Sequence, residues 1–208
     1  MSATLIYCYD PMCSWCWAFA PTWKSLTSEI QTLVEKGDLK IIYLLGGLAV
    51  DSDLPMPEPM QEKLQAIWKH IETEVGTEFN HDFWQSCQPR RSTYPACRAC
   101  LVARSVELET KMAERIQHAY YLHAKNPSDI STLVACAKEI GMEEEHFLAG
   151  MDQVKQSQKL EKEIHQARQL GLNSFPSIAL LKQNQLSHIP IHYNDYIPMY
   201  EHIIKSLK

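Results

Sequence analysis

Two cysteines separated by two residues, in Cys13-Ser14-Trp15-Cys16, are the residues of this chain best suited to do chemistry. Thiols at that spacing exchange electrons with disulfides when one sulfur is accessible and readily ionised. A short apolar, β-prone run, Thr4-Leu5-Ile6-Tyr7-Cys8-Tyr9, precedes the pair and is broken by Asp10-Pro11. A helix-like stretch over residues 17–36 follows it and stops at Gly37. The dithiol therefore stands where a strand hands over to a helix, which is where redox dithiols reside. At a helix N-terminus the unpaired backbone N–H groups and the helix dipole stabilise a thiolate, here at Cys13. Cys16 lies on the same face one turn below and can attack a mixed disulfide formed at Cys13. Cys13 is thus read as the nucleophile and Cys16 as the resolving thiol. The competing reading is a pair of buried structural cysteines or half of a zinc site, but zinc-finger spacings are missing. No metal is expected.

The elements that must position this pair follow from the rest of the text. At 208 residues and 45% hydrophobic content, the chain is long enough to bury a core without staples. The formal net charge of −5, with no lysine or arginine cluster, gives no footprint for nucleic acid or for an anionic membrane surface. No stretch is long and apolar enough to span a bilayer. Read as the natural start, the N-terminus lacks the three regions of a signal peptide, and a cytoplasmic location is expected. Seven scattered cysteines, an odd number, do not make a disulfide framework and fit a reducing compartment.

Lys40-Ile41-Ile42-Tyr43-Leu44-Leu45, ending at Gly46-Gly47, is predicted to be a second strand, completing a βαβ unit. Pro55, Pro57 and Pro59 then mark a loop. From about residue 60 to 170 the pattern is helical. One face is read from Ile130, Leu133, Val134, Ala137 and Ile140, closed by Gly141, and another from Ala99, Val102, Ala103 and Val106. A third is Met112, Ile116, Ala119 and Tyr120, and residues 152–170 read as one polar helix ended by Gly171. Strands return at residues 177–181 and 186–191 around a turn at 182–185, and a last helix runs from about 196 to 207.

Without the helical block, the order β, α, β and then α, β, β, α is that of thioredoxin, and the architecture resembles the DsbA family. The local text agrees in Asp10-Pro11-Met12-Cys13-Ser14-Trp15-Cys16-Trp17, Leu45-Gly46-Gly47, Pro95-Ala96-Cys97-Arg98-Ala99 and Gly171-Leu172-Asn173-Ser174-Phe175-Pro176-Ser177. The match looks nearest to the FrnE-like branch and covers nearly the whole chain in order. It implies an α/β, thioredoxin-like fold with a large helical insertion. The expected division is a discontinuous domain of residues 1–48 and 152–208, interrupted by an inserted helical domain of 49–151.

The resemblance also implies a cis bond between Phe175 and Pro176 beside the dithiol, with the Phe175 backbone pairing with a substrate's extended chain. Trp15, between the thiols, is expected to line the substrate groove. Ser14 and Trp15 supply no positive charge, so a less extreme thiolate is expected than in the most oxidising members of the family. Cys97-Arg98-Ala99-Cys100 is a second pair at the same spacing, preceded by Pro95 at a helix start. It is either an auxiliary redox pair or, more simply, small apolar residues packing a helix face. The function expected is exchange of disulfides with protein, peptide or small thiol substrates. In a reducing cytosol the direction is reduction or isomerisation, with no cofactor beyond a thiol reductant such as glutathione. Two alternatives are a redox-sensing adaptor that binds a protein partner and a glutathione transferase or isomerase like the kappa class. The kappa class carries serine where Cys13 stands.

Overall fold

β1 (Ala3–Tyr9) is apolar at nearly every position, the pattern of a strand covered on both faces. In the computed structural model, which describes residues 3–207, it is a central strand of a four-stranded sheet ordered β2-β1-β3-β4. β2 (Leu39–Leu45) pairs with it in parallel, Tyr9 opposite Leu45. β3 (Ser177–Lys182) runs antiparallel on its other side, Cys8 opposite Ser177, and β4 (Gln185–Ile189) closes the sheet. The alternation of side chains divides β1 between two cores. Leu5, Tyr7 and Tyr9 face Phe19, Trp23 and Leu26, whereas Ile6 and Cys8 pack with Leu44, Ala167, Leu172 and Ala179.

Phe19, Trp23 and Leu26 belong to α1 (Ser14–Glu29), whose Trp23 ring stacks on Tyr7 at 4.3 Å. The predicted single helix over 17–36 bends at Ile30, which is fully buried, and continues as the short α2 (Gln31–Glu35). The chain between β2 and β3 contains α3 (Glu58–Val75), α4 (Phe83–Ser86), α5 (Tyr94–Arg104), α6 (Glu109–Tyr121), α7 (Ile130–Glu139), α8 (Glu144–Gln156) and α9 (Lys159–Gln169); α10 (Ile197–Leu207) ends the fold. This is the expected thioredoxin order with a helical insertion. An aromatic knot around Trp68, with Phe79, Phe83, Tyr120 and Tyr121, fills the insertion. Trp17 of α1 stacks on Tyr121, so one apolar core runs from the sheet into the inserted helices.

Four details differ from the sequence reading. The polar helix expected over 152–170 is two helices, broken at Ser157 and Gln158, where Gln158 takes a left-handed φ of 53°. The break lets α8 pack on α5 while α9 crosses to the second face of the sheet. As a result, the boundary drawn between residues 151 and 152 falls inside α8. Ile130 and Val106 are 49% and 53% exposed, not inward. Ile130 only opens α7, whose buried residues are Leu133, Cys136 and Ala137, and Val106 lies beyond the end of α5. The β3–β4 turn is two residues, Gln183 and Asn184, both left-handed, the twist that suits a tight hairpin.

Candidate active site

Cys13 is the N-cap of α1. Its amide donates to the Asp10 carbonyl at 3.0 Å, and its Sγ donates to the Phe175 carbonyl at 3.4 Å. The residue is 7% exposed, while Cys16, one turn below, has no exposed surface. Burial raises the Cys16 thiol well above the usual range, and the hydrogen bond and charge of Cys13 raise it further; the Asp10 backbone amide offsets only part of this. The two sulfurs are therefore unequal. Cys13 keeps a small exposed surface at the start of the helix, and Cys16 is sealed beneath it with its thiol raised by burial.

Asp10, which marks only a strand end in the sequence, anchors the loop. Its carboxylate is fully buried and takes the Met12 amide on Oδ1 at 2.8 Å. On Oδ2 it takes the Leu48 amide at 2.7 Å, the Thr93 hydroxyl at 2.7 Å and the Cys97 thiol at 3.5 Å. Burial pushes the Asp10 carboxyl above its ordinary range, and these four donors pull against it. One side chain thus ties the dithiol loop to the segment after β2 and to the start of α5.

The third piece is delivered by α9. Gly171, at a φ of 73°, ends that helix with paired bonds from Leu172 to the Ala167 carbonyl and from Gly171 to the Arg168 carbonyl. The chain then turns into the Phe175–Pro176 bond, which is cis. Arg168 donates to the Leu172 carbonyl at 2.9 Å and the Gly46 carbonyl at 3.0 Å, with its guanidinium 5.0 Å from the Phe175 ring centre. The ring packs against Gly46, where a Cβ would stand 1.9 Å from Cε1 of Phe175. Gly46 has no side chain because Phe175 needs that space. Of these, Gly46 and Phe175 belong to motifs visible in the sequence, whereas nothing in the text singled out Arg168 or Thr93.

Trp15 is half-buried, its ring 5.0 Å from Tyr193 and 5.8 Å from His70. With Met12, Cys13, Met56, Met60, Leu64, Ile67 and Phe175 it lines a groove of about 290 Å³ that opens beside Cys13. A broader hollow near Lys138 and Glu144 lies between α7 and α8 and contains no cysteine. Among the described residues, no three histidine, cysteine or acidic side chains are grouped to hold a metal ion.

Cys97 and Cys100 are fully buried on α5. Cys97 donates to Asp10 and Cys100 faces the Tyr9 hydroxyl; burial raises both thiols well above the usual range. Burial likewise pushes Cys8 up to about 12 and Cys136 up to about 11. Cys87 is half-buried and donates to the Ala124 carbonyl. Iodoacetamide at pH 8 is accordingly expected to modify Cys13 and Cys87 alone in the folded protein. Cys136, for example, would be only about one-thousandth thiolate at that pH. Peptide mass spectrometry checks this, and rapid labelling of Cys97 or Cys100 before unfolding would contradict the packing described.

Comparison with known proteins gives a consistent result. Residues 4–194 match the sequence model of the DSBA-like thioredoxin domain. A proposed protein disulfide isomerase from Nitrosomonas europaea has a similar structure, with a TM-score of 0.83 at 22% identity over 100% of this chain and 98% of that one. The cytosolic disulfide reductase DsbM from Pseudomonas aeruginosa gives a TM-score of 0.76 at 22% identity, over 98% of this chain and 97% of that one. DsbM has also been solved with GSH. The ClpXP adapter protein SpxH from Halalkalibacterium halodurans is 21% identical over 182 residues, 84% of this chain. The chain spans only 57% of that relative's length. The structural likenesses carry the fold, and the sequence model, matched from the first strand to the threshold of the last helix, carries the ancestry: the chain belongs to the DSBA-like thioredoxin domain family.

Proposed function

We propose that this chain is a thiol–disulfide oxidoreductase working in the direction of reduction or isomerisation, with Cys13 as nucleophile and Cys16 as resolving thiol. The observation that carries the reading is the inequality of the two sulfurs. Cys13 caps α1 beside the Phe175 carbonyl, and Cys16 is buried and protonated one turn below. The Cys13 thiolate attacks one sulfur of a substrate disulfide, and the other sulfur leaves as a thiolate and takes a proton. Once Cys13 is bonded, its charge and hydrogen bond no longer add to the burial that raises the Cys16 thiol, and the departing substrate sulfur takes the Cys16 proton. Cys16 then attacks the Cys13 sulfur and displaces the second substrate thiol. Two electrons pass from the dithiol to the substrate, and a thiol reductant such as glutathione restores the dithiol. Phe175 and Pro176 present backbone to the substrate, and Trp15 borders it. We read Cys97 and Cys100 as packing residues, Cys97 serving Asp10, since neither reaches the surface.

The proposed location is the cytoplasm, as for DsbM. Among the described residues, no helix is long and apolar enough to cross a membrane. The match to SpxH favours a second reading, an adaptor that binds a protein partner and uses the dithiol as a sensor. Titration in glutathione redox buffers tests the dithiol, and glutathione-driven turnover of a peptide disulfide distinguishes the two readings. The oxidoreductase reading expects one reversible two-electron transition near the glutathione couple, a tenfold change in the oxidised-to-reduced ratio taking about 30 mV. A protein that shows the transition but turns over no peptide disulfide, and whose partner binding survives Cys13→Ser, would be the adaptor.

A further inference from the structure

The chain is acidic overall, with a net charge of −5, yet the groove beside Cys13 has the opposite character. Three cations, Lys63, Arg90 and Arg91, line it, and no aspartate or glutamate does. Arg90 is neutralised by Asp129. Lys63 and Arg91 have no acidic partner among the described residues; Arg91 donates to the Met60 sulfur, at 3.7 Å. Much of the remaining lining is apolar and includes Met12, Leu64 and Ile67. Two uncompensated cations thus share one groove with apolar side chains and the reactive sulfur. A space of about 290 Å³ lies at the lower edge of pockets that enclose small ligands.

Taking the oxidoreductase reading as given, we propose that this groove selects small thiols and disulfides carrying carboxylates near their sulfur, with Lys63 and Arg91 as the specificity-determining residues. In the reductive half-reaction, the thiolate of such a molecule attacks the Cys13 sulfur of the Cys13–Cys16 disulfide, and Cys16 leaves and is protonated. A second thiolate attacks the small-molecule sulfur of that mixed disulfide and releases Cys13. Two thiols are oxidised to one disulfide, and the protein gains two electrons. The carboxylates sit on Lys63 and Arg91 in both steps, while the apolar part of the molecule covers Leu64 and Ile67.

The test compares the rate at which glutathione reduces the oxidised protein with the rate for glutathione diethyl ester, which has the same thiol but masked carboxylates. Two solvent-facing ion pairs make glutathione faster by roughly tenfold. That ratio shrinks as salt is raised. It falls to about one or below in the Lys63→Glu/Arg91→Glu protein and survives in the conservative Lys63→Arg/Arg91→Lys protein. Because both thiols are measured on the same protein, a general folding defect slows both and leaves the ratio in place. A wild-type ratio near one, or a ratio unmoved by charge reversal, overturns the proposal. If the ratio is near one but a peptide disulfide flanked by glutamates is reduced much faster than one flanked by lysines, the occupant is an acidic protein segment. Small-thiol selection is then overturned. Failure of wild type to react with any thiol, dithiothreitol included, defeats the oxidoreductase reading itself.

Discussion

Cys13→Ser is expected to reduce disulfide exchange to the protein-free background, whereas Cys16→Ser is expected to halt it halfway, with the substrate still joined to Cys13. Serine cannot replace the nucleophile, because its hydroxyl does not ionise near neutral pH and exchange requires a thiolate. Nor can Cys16 take over: it has no exposed surface, and burial holds its proton well above the usual thiol range. In Cys16→Ser the first attack is intact and the internal displacement is missing, so the mixed disulfide should persist until an outside thiol breaks it. Turnover of a peptide disulfide with glutathione, followed by non-reducing mass spectrometry of each variant, separates the two outcomes. Retained turnover in Cys13→Ser, or no adduct on Cys16→Ser, would reverse the assignment of roles.

The placement of Cys13 at the start of α1, with Cys16 one turn below, was legible in the sequence because its causes are local. The end of β1, the cap of α1 and the position of Cys16 one turn down lie within a few residues of one another, and strand and helix patterns suffice to place them. Phe175, 162 residues from Cys13 along the chain, and Pro176 after it came only from the resemblance, since nothing local says which loop a proline will approach. Asp10 shows the opposite failure. It reads as a turn residue, and its function lies in partners 38, 83 and 87 residues away. Arg168 reads as one charge on a polar helix, but it reaches a carbonyl 122 residues distant. The helical faces were legible where burial is complete, as at Leu133 and Ala137, and failed at their ends. There, Ile130 and Val106 follow the period but lie beyond the packed surface. The break at Gln158 had no sequence signal. No glycine or proline stands there, and the polar run of residues 152–170 hides a change of direction required by the sheet.

The same long-range economy makes Arg104→Met the most destabilising single substitution we expect, at about 3 kcal/mol. Arg104, at the end of α5, grips Glu109 of α6 with Nε at 2.6 Å and Nη2 at 2.7 Å. It also grips Glu163 of α9 with Nη1 at 2.6 Å and Nη2 at 3.0 Å. Each carboxylate reaches a strand in turn. Glu163 accepts the Leu45 amide at the end of β2, and Glu109 accepts the Tyr9 hydroxyl at the end of β1. One guanidinium therefore pins the insertion to the strand ends that lead into the dithiol loop and into Gly46. Both carboxylate side chains are only 9% exposed, so methionine would leave two buried acids facing each other without a cation. Burial already pushes the Glu109 carboxyl above its ordinary range, and the hydrogen bonds and charge of Arg104 hold it down. Without Arg104 the folded-state shift grows. A carboxyl raised on folding takes up protons with the folded state, so the stability it favours is present in acid and is lost as pH rises. The urea-unfolding deficit of Arg104→Met should therefore be larger at pH 7.5 than at pH 5, and Arg104→Lys should recover part of it. A deficit below about 1 kcal/mol, or one independent of pH, would mean that apolar packing around Trp68 and Tyr121 holds the insertion in place and that the ion cluster merely decorates the seam.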